Sequence, residues 1–210
     1  MIRIIAFFTL TLFSFMGSSA FAQSRFFDQE YGKLGVFSVQ FSGENGKSFT
    51  DDASSIGLEA SKVFDSPWFG IETKVRGGQV SGNQDFDDQG TDINTDYVYY
   101  FGEFLLGTRV SFVPARESGF TAHLGLSGIV SLNYLSLDIP ESTTTNISNH
   151  YSSVSIGTEV SAGGEFRINA GMGRFYSLYM DVGIRSVKSK LVNQTGFSLD
   201  GMSLSAGLGF

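Results

Sequence analysis

Gly201-Met202-Ser203-Leu204-Ser205-Ala206-Gly207-Leu208-Gly209-Phe210 alternates without a break. Successive side chains of a strand point to opposite faces. Met202, Leu204, Ala206, Leu208 and Phe210 therefore share one face, and Gly201, Ser203, Ser205, Gly207 and Gly209 the other. One face is apolar throughout; the other is small and polar. A soluble core offers such a strand no obvious place. The wall of a transmembrane β-barrel does, with lipid outside and a polar interior.

The other end of the chain leads to the same compartment. Arg3 is the only charge in the first 24 residues, and Ile4 to Met16 is a mostly apolar run. That run has the length of a signal-peptide core and is too short for a spanning helix. Ala20-Phe21-Ala22 supplies a small-x-small cleavage pattern. The expected organisation is a cleaved signal peptide over 1–22 and a barrel domain over 23–210. No Cys follows the cleavage site, which excludes a lipoprotein.

Composition narrows the function classes. Loss of Arg3 leaves 13 basic against 21 acidic residues, a net charge of −8. That balance argues against nucleic acid or an anionic lipid surface as partner, since both select basic patches. With no Cys, disulfides, thiol nucleophiles and thiolate metal sites are all excluded. Only 3 prolines occur, which suits long hydrogen-bonded ladders.

Period-two alternation predicts eight strands: Lys33–Ser42, Ser54–Phe64, Trp68–Gly77, Tyr97–Phe112, Phe120–Tyr134, Tyr151–Ile168, Phe175–Val187 and Gly196–Phe210. The fold class is all-β, an eight-stranded antiparallel up-and-down transmembrane β-barrel. The alternation places Phe37, Val39 and Phe41 against lipid in the first strand. It does the same for Ile56, Leu58 and Ala60 in the second and Phe69, Ile71 and Val75 in the third. Connections alternate short (Asp65–Pro67, Val113–Gly119, Asn169–Arg174) and long (Gly43–Ala53, Gly78–Asp96, Leu135–His150, Lys188–Thr195). Short periplasmic turns, long extracellular loops and periplasmic termini are the expected orientation. Two aromatic belts fit it. Phe64, Trp68, Phe69, Phe112, Phe120, Phe166, Phe175, Tyr176 and Phe210 fall at one set of strand ends. Phe41, Tyr97, Tyr99, Tyr100, Tyr134, Tyr151 and Phe197 fall at the other.

With its signal peptide, eight strands, loop rhythm and terminal Leu208-Gly209-Phe210, the chain resembles the OmpA/OmpX-like and opacity-type outer-membrane barrels over its whole mature length. The resemblance implies the outer membrane of a Gram-negative bacterium. It makes Phe210 an assembly signal read by the outer-membrane assembly machinery. It also implies lipid and lipopolysaccharide as neighbours. Members serve as adhesins, anchors, small pores and a few enzymes, so it leaves the function open. No peptidoglycan-binding domain follows the last strand, so a cell-wall anchoring role is not expected.

Strand parity puts five acids (Glu59, Glu72, Glu103, Glu159, Asp181) and four bases (Lys74, Arg76, Arg109, Arg185) inside. An eight-stranded barrel is only wide enough to be filled by side chains. Near-balanced charges there are expected to pair as a plug, with a narrow ion path through them as the alternative. A polar lumen argues against a channel for hydrophobic substrates. Lys62 has lipid-facing parity near a periplasmic strand end, where its ammonium reaches the headgroups, and Asp200, of the same parity, is expected above the apolar band of ~25 Å.

Catalytic chemistry finds little support. His123 and Ser127 share an inward face but stand roughly 13 Å apart along the strand. Lipid A deacylases of the outer membrane carry a His-x-Ser pair; here the sequence is His123-Leu124-Gly125. His150 is read as a solvated surface residue. Asp85 to Asp96 partly matches a calcium loop, with Asp85, Asp87, Gln89, Gly90 and Asp96 at positions 1, 3, 5, 6 and 12. It lacks the terminal Glu and the flanking helices. A solvated acidic loop tip is the plainer reading, and calcium there is the one cofactor the residues raise. Lys188 and Lys190 stand at the outer end of the seventh strand, where lipopolysaccharide phosphates would lie.

The expected role is non-enzymatic: a monomeric structural or surface-interaction protein whose loops meet an extracellular ligand, with Gly78–Asp96 the leading contact region. A narrow channel for ions or small polar solutes comes second and a lipid A-modifying enzyme a distant third.

Overall fold

The computed structural model describes residues 27–42, 54–88, 91–114, 119–139, 149–171, 174–192 and 195–210. The expected signal peptide, the link 43–53 and residues 140–148 lie outside them.

The strands are β1 (Gln29–Phe41), β2 (Ser54–Asp65), β3 (Phe69–Asp88), β4 (Thr91–Val113), β5 (Gly119–Asp138), β6 (His150–Gly171), β7 (Arg174–Val192), β8 (Thr195–Ser198) and β9 (Gly201–Gly209). Neighbours in sequence pair antiparallel from β1 through β7, and β9 pairs with both β7 and β1. The sheet therefore closes on itself. β8 and β9 form one stave in two pieces, so the barrel has eight staves. Its seam is tied at the chain end, where Gly32 and Phe210 exchange both backbone hydrogen bonds at 2.9 Å.

Every stave turns apolar side chains outward. Val36, Leu58, Phe69, Leu106, Leu126, Ile156, Met180 and Leu204 are all exposed, Ile156 to 75%. A continuous apolar exterior on a polar-edged cylinder is a surface that lipid, not water, solvates. Closure also satisfies every ladder position without leaving a sheet edge in hydrocarbon.

β1 faces the opposite way from the reading of its sequence. Phe37, Val39 and Phe41 are buried in the lumen, and Leu34, Val36 and Gln40 face outward. Both faces of this strand carry apolar residues, so alternation alone does not choose between them. Closure does: Phe37 stands opposite Gly57 on β2 and Ser205 on β9, both on inward faces. A Cβ at Gly57 would collide with the Phe37 ring. The glycine makes the room that the ring fills.

The outer aromatic belt changes with it. Phe41, Tyr97 and Tyr99 are lumenal and Tyr151 packs against the internal cluster, leaving Tyr100 and Tyr134 on the outside. The belt at the short-turn end stands, with Trp68, Phe69, Phe112, Phe120, Phe166, Tyr176 and Phe210 exposed, although Phe175 turns inward. The side chain of Phe197 lies outside the description.

The region expected to be a loop over Gly78–Asp96 is mostly ladder. β3 and β4 pair without interruption from Phe69↔Val110 to Asp88↔Thr91. Its described ends still turn Val80 and Thr95 inward, and the polar sequence concealed the pairing between them. β5 and β6 also run past their expected ends, to Asp138 and from His150 to Gly171.

The eighth stave is broken at Leu199-Asp200 for a local reason. Leu199 N donates to Val187 O at 2.8 Å. The return bond from Val187 N goes to the Asp200 carboxylate at 2.7 Å, and Leu199 O accepts from Arg185 Nε at 3.1 Å. Two side chains have taken over one rung of the ladder.

Two outcomes test the placement. Leu126→Arg, on the lipid face, is expected to lower folding stability in liposomes by about 2–4 kcal/mol, measured by denaturant titration. A single cysteine at Val36 is expected to react with a membrane-partitioning maleimide in the folded barrel, and one at Phe37 not. Equal reactivity would return β1 to the other face.

Candidate functional site

The lumen holds the chemistry-bearing residues in layers, ordered by height along the staves. Nearest the short turns, Tyr31 Oη accepts from Arg109 Nη2 at 2.6 Å and from Arg167 Nη2 at 2.7 Å, and donates to Glu165 Oε2 at 2.8 Å. Asp65 receives both guanidinium groups: Arg109 through Nε at 3.1 Å and a second bond through Nη2, and Arg167 through Nη2 at 2.9 Å. Arg167 also stacks on the Tyr31 and Phe175 rings, 4.8 and 4.7 Å from their centroids. Desolvated cations over ring faces gain from the ring quadrupole.

Above it, Lys33 and Lys74 lie among Glu59, Glu72, Glu165 and Asp181. His123 Nε2 stands 3.2 Å from Asp181 Oδ1. Next comes Arg76, which donates to Glu59 Oε2 at 3.0 Å and reaches Glu159 with two bonds, at 2.7 and 3.0 Å. Ser205 and Ser203 donate to the same two carboxylates, at 2.9 and 3.0 Å, and Tyr179 Oη donates to Glu59 Oε1 at 2.8 Å. Arg185 and Glu103 form a second bidentate pair across the barrel. Arg–carboxylate forks of this kind fix orientation as well as charge.

All nine charges predicted for the lumen are thus inside it and joined. Four more belong with them: Lys33, Asp65, Glu165 and Arg167. The signal for three was present. Extending the parity of Glu59 reaches Asp65, and that of Glu159 reaches Glu165 and Arg167. Lys33 was hidden by the inverted face of β1.

The outer half of the lumen is largely apolar, although Asn133 stands in it, accepting from Tyr99 Oη at 2.6 Å and donating to Ser155 Oγ at 2.7 Å. Phe37, Val39, Phe41, Val80, Tyr97, Tyr99, Phe101, Leu105, Ile129, Leu135, Leu137, Val187 and Leu199 form one buried cluster. Phe101 meets Phe37 and Phe41 edge-on, at 6.0 and 5.9 Å. The polarity of the lumen therefore does not exclude hydrophobic substrates. What stands in its place is occupancy: these side chains are packed on one another.

The remaining sequence candidates are scattered. Ser127, four residues along β5 from the buried His123, is only half-buried. His150 stacks on Tyr134 at 5.8 Å between ring centroids, with Nδ1 3.1 Å from its hydroxyl. Asp85 and Asp87 pair in register with Asn94 and Asp92, and Asp96 accepts from Asn83 Nδ2 at 2.8 Å; Gln89 and Gly90 lie outside the described residues. Lys62 pairs with Glu30, and Lys188 is exposed.

No family model matches the chain, and no curated protein matches it. Among solved structures it is similar to Ail, the attachment invasion locus protein of Yersinia pestis, crystallised with the heparin analogue sucrose octasulfate. Identity is 13% over 86% of this chain and 97% of that one, with a TM-score of 0.44. It is also similar to outer-membrane protein OprG of Pseudomonas aeruginosa, at 14% identity over 86% and 93%, TM-score 0.45. A third is outer-membrane protein AlkL in lipid bilayers, at 14% over 90% and 92%, TM-score 0.38. Identity and superposition at this level carry no function to this chain. The barrel itself rests on its own closed register.

Removing one member of a buried pair leaves the other uncompensated. Arg76→Met is accordingly expected to cost about 3–5 kcal/mol of folding stability, while exposed Lys188→Met stays within about 0.5 kcal/mol. Denaturant titration of both variants in liposomes checks the contrast.

Proposed function

We propose that this protein is a non-enzymatic outer-membrane barrel, closed to solutes, whose role is structural and at the cell surface. One observation carries this reading: the lumen is filled. Arg76, Arg167, Arg185, Phe37, Phe41, Leu105, Ile129 and Leu135 are all less than 2% exposed and span the interior from the charged layers to the apolar cap. An ion entering would have to break bidentate pairs and then cross an apolar plug, and each desolvated charge costs several kcal/mol.

The orientation with termini in the periplasm and the β3–β4 hairpin outside follows from the short-turn and long-connection ends. In it, Phe210 ends the strand offered to the assembly machinery, and lipopolysaccharide surrounds the outer rim. The barrel acts as a monomer. The hairpin is the leading contact for an extracellular ligand, because β2 ends at Ser54 and pairs no further than Ile56↔Gln79. Residues 80–88 therefore rise about 30 Å of strand beyond that neighbour.

The test is single-channel conductance in planar bilayers, with folding shown in parallel by heat-resistant gel migration. A silent bilayer from folded protein is expected. Steady ion-selective openings altered by Arg185→Met would transfer the protein to the narrow-channel reading.

A further inference from the structure

The aromatic belt at the short-turn rim carries a charged pair in one sector. Phe112, Phe120, Phe166 and Tyr176 are exposed on β4 to β7. Between Phe210 and Phe69, the lipid face of β1 and β2 bears Glu30 and Lys62. In register Glu30 stands opposite Phe64 and Lys62 opposite Gly32, so the two charges are diagonal neighbours across the ladder. Their ion pair is open to the outside, with the Lys62 and Glu30 side chains 18% and 28% exposed. Lys62 Nζ lies 5.4 Å over the Phe64 ring, which holds the ammonium at the wall. Charges facing hydrocarbon are costly, and at headgroup depth they are not.

Each charge has bonding capacity beyond the pair. An ammonium carries three donors, and a carboxylate accepts at two oxygens. The adjoining wall adds little to either. Lys62 is flanked in register by Gly32 and Thr73, and the Thr73 hydroxyl donates to the Lys62 carbonyl at 3.5 Å. The capacity that faces outward therefore has two signs on a patch without net charge: Lys62 takes an acceptor and Glu30 a donor. An anionic headgroup would satisfy Lys62 and be repelled by Glu30. A headgroup that joins a phosphate to a primary ammonium satisfies both. Deeper in the apolar band, Leu34, Leu58 and Leu208 are exposed on β1, β2 and β9, where the acyl chains of such a lipid would lie.

We propose that Glu30 and Lys62 seat a zwitterionic phospholipid of the phosphatidylethanolamine class, its phosphate on Lys62 Nζ and its ammonium on the Glu30 carboxylate. The seat adjoins the seam, where Phe210 closes onto Gly32. In the orientation proposed above it belongs to the periplasmic leaflet, but its headgroup preference does not depend on that orientation.

Native mass spectrometry of the folded barrel, released from nanodiscs of equal phosphatidylethanolamine, phosphatidylcholine and phosphatidylglycerol, tests this. Retention of phosphatidylethanolamine several-fold above both others is expected. Phosphatidylcholine has the phosphate but no N–H to donate, and phosphatidylglycerol has the phosphate with a net charge. Glu30→Gln is expected to shift retention toward phosphatidylglycerol, and Lys62→Met to remove the preference. Equal retention of the three lipids by the unsubstituted barrel, the result when water alone solvates the pair, would overturn the proposal. So would phosphatidylglycerol retained above phosphatidylethanolamine, or a preference unchanged in both variants. The comparison of the three lipids on the unsubstituted barrel decides the matter where a variant fails to fold.

Discussion

Closure of eight strands in a bilayer is the constraint on which the rest depends. A ring this small has no free interior, so every inward side chain must be packed or paired against the far wall. The polar inward groups cannot reach bulk water from mid-barrel, and each must be met within the lumen. Arg76 on β3 is the clearest case. It reaches Glu59 on the adjacent stave and Glu159 on β6, with Ser205 of β9 at 3.4 Å. One guanidinium thus braces sectors of the wall that the ladder connects only by going around. Arg185 and Glu103 repeat the device between β7 and β4.

So many large side chains fit inside because small residues stand beside them. A Cβ at Gly78 would strike the Phe101 ring, and one at Gly163 would strike Asp181 and His123. The inward glycines are therefore packing partners, and their positions determine where rings and carboxylates go. The lumen is graded as a result: ion-paired toward the short turns, apolar toward the long connections. The apolar half resembles the core of a soluble domain, in which burial of rings and aliphatic chains supplies the stabilisation. The charged half contributes chiefly geometry, since a buried pair seldom exceeds the cost of its own desolvation.

Most of this was legible where one face of a strand was plainly polar. β7 is an example: Tyr176, Leu178, Met180, Val182 and Ile184 outside, Asp181 and Arg185 inside. Legibility failed where alternation was ambiguous or local bonds intervened. On β1, Leu34 and Val36 compete with Phe37, Val39 and Phe41, and only pairing to two partners decides between the faces. The β3–β4 extension reads as a loop because Asp, Asn, Gln and Gly are poor strand formers, yet the register carries through them. The break at Asp200 depends on a carboxylate replacing a carbonyl, which no periodicity encodes. Within the charge network, pairing partners were not legible at all. Parity gives the face of a residue, but not which far-wall residue it meets.

A filled lumen also constrains where recognition can take place. The exterior of the staves is committed to lipid and the interior to itself, which leaves the rims. The short-turn rim is tight, with Ser66 capping its turn through Phe69 O at 2.7 Å. The other rim is uneven, because β2 ends near Gln79 while β3 and β4 continue together to Asp88 and Thr91. Past Asn83↔Asp96 the hairpin loses its β5 neighbour as well, since the β4–β5 ladder ends at Asp96↔Asp138. From there it is a two-stranded ribbon with both edges unpaired in the described sheet. A ribbon so placed shares no ladder with the rest of the described barrel. Closure of the described barrel does not require its length.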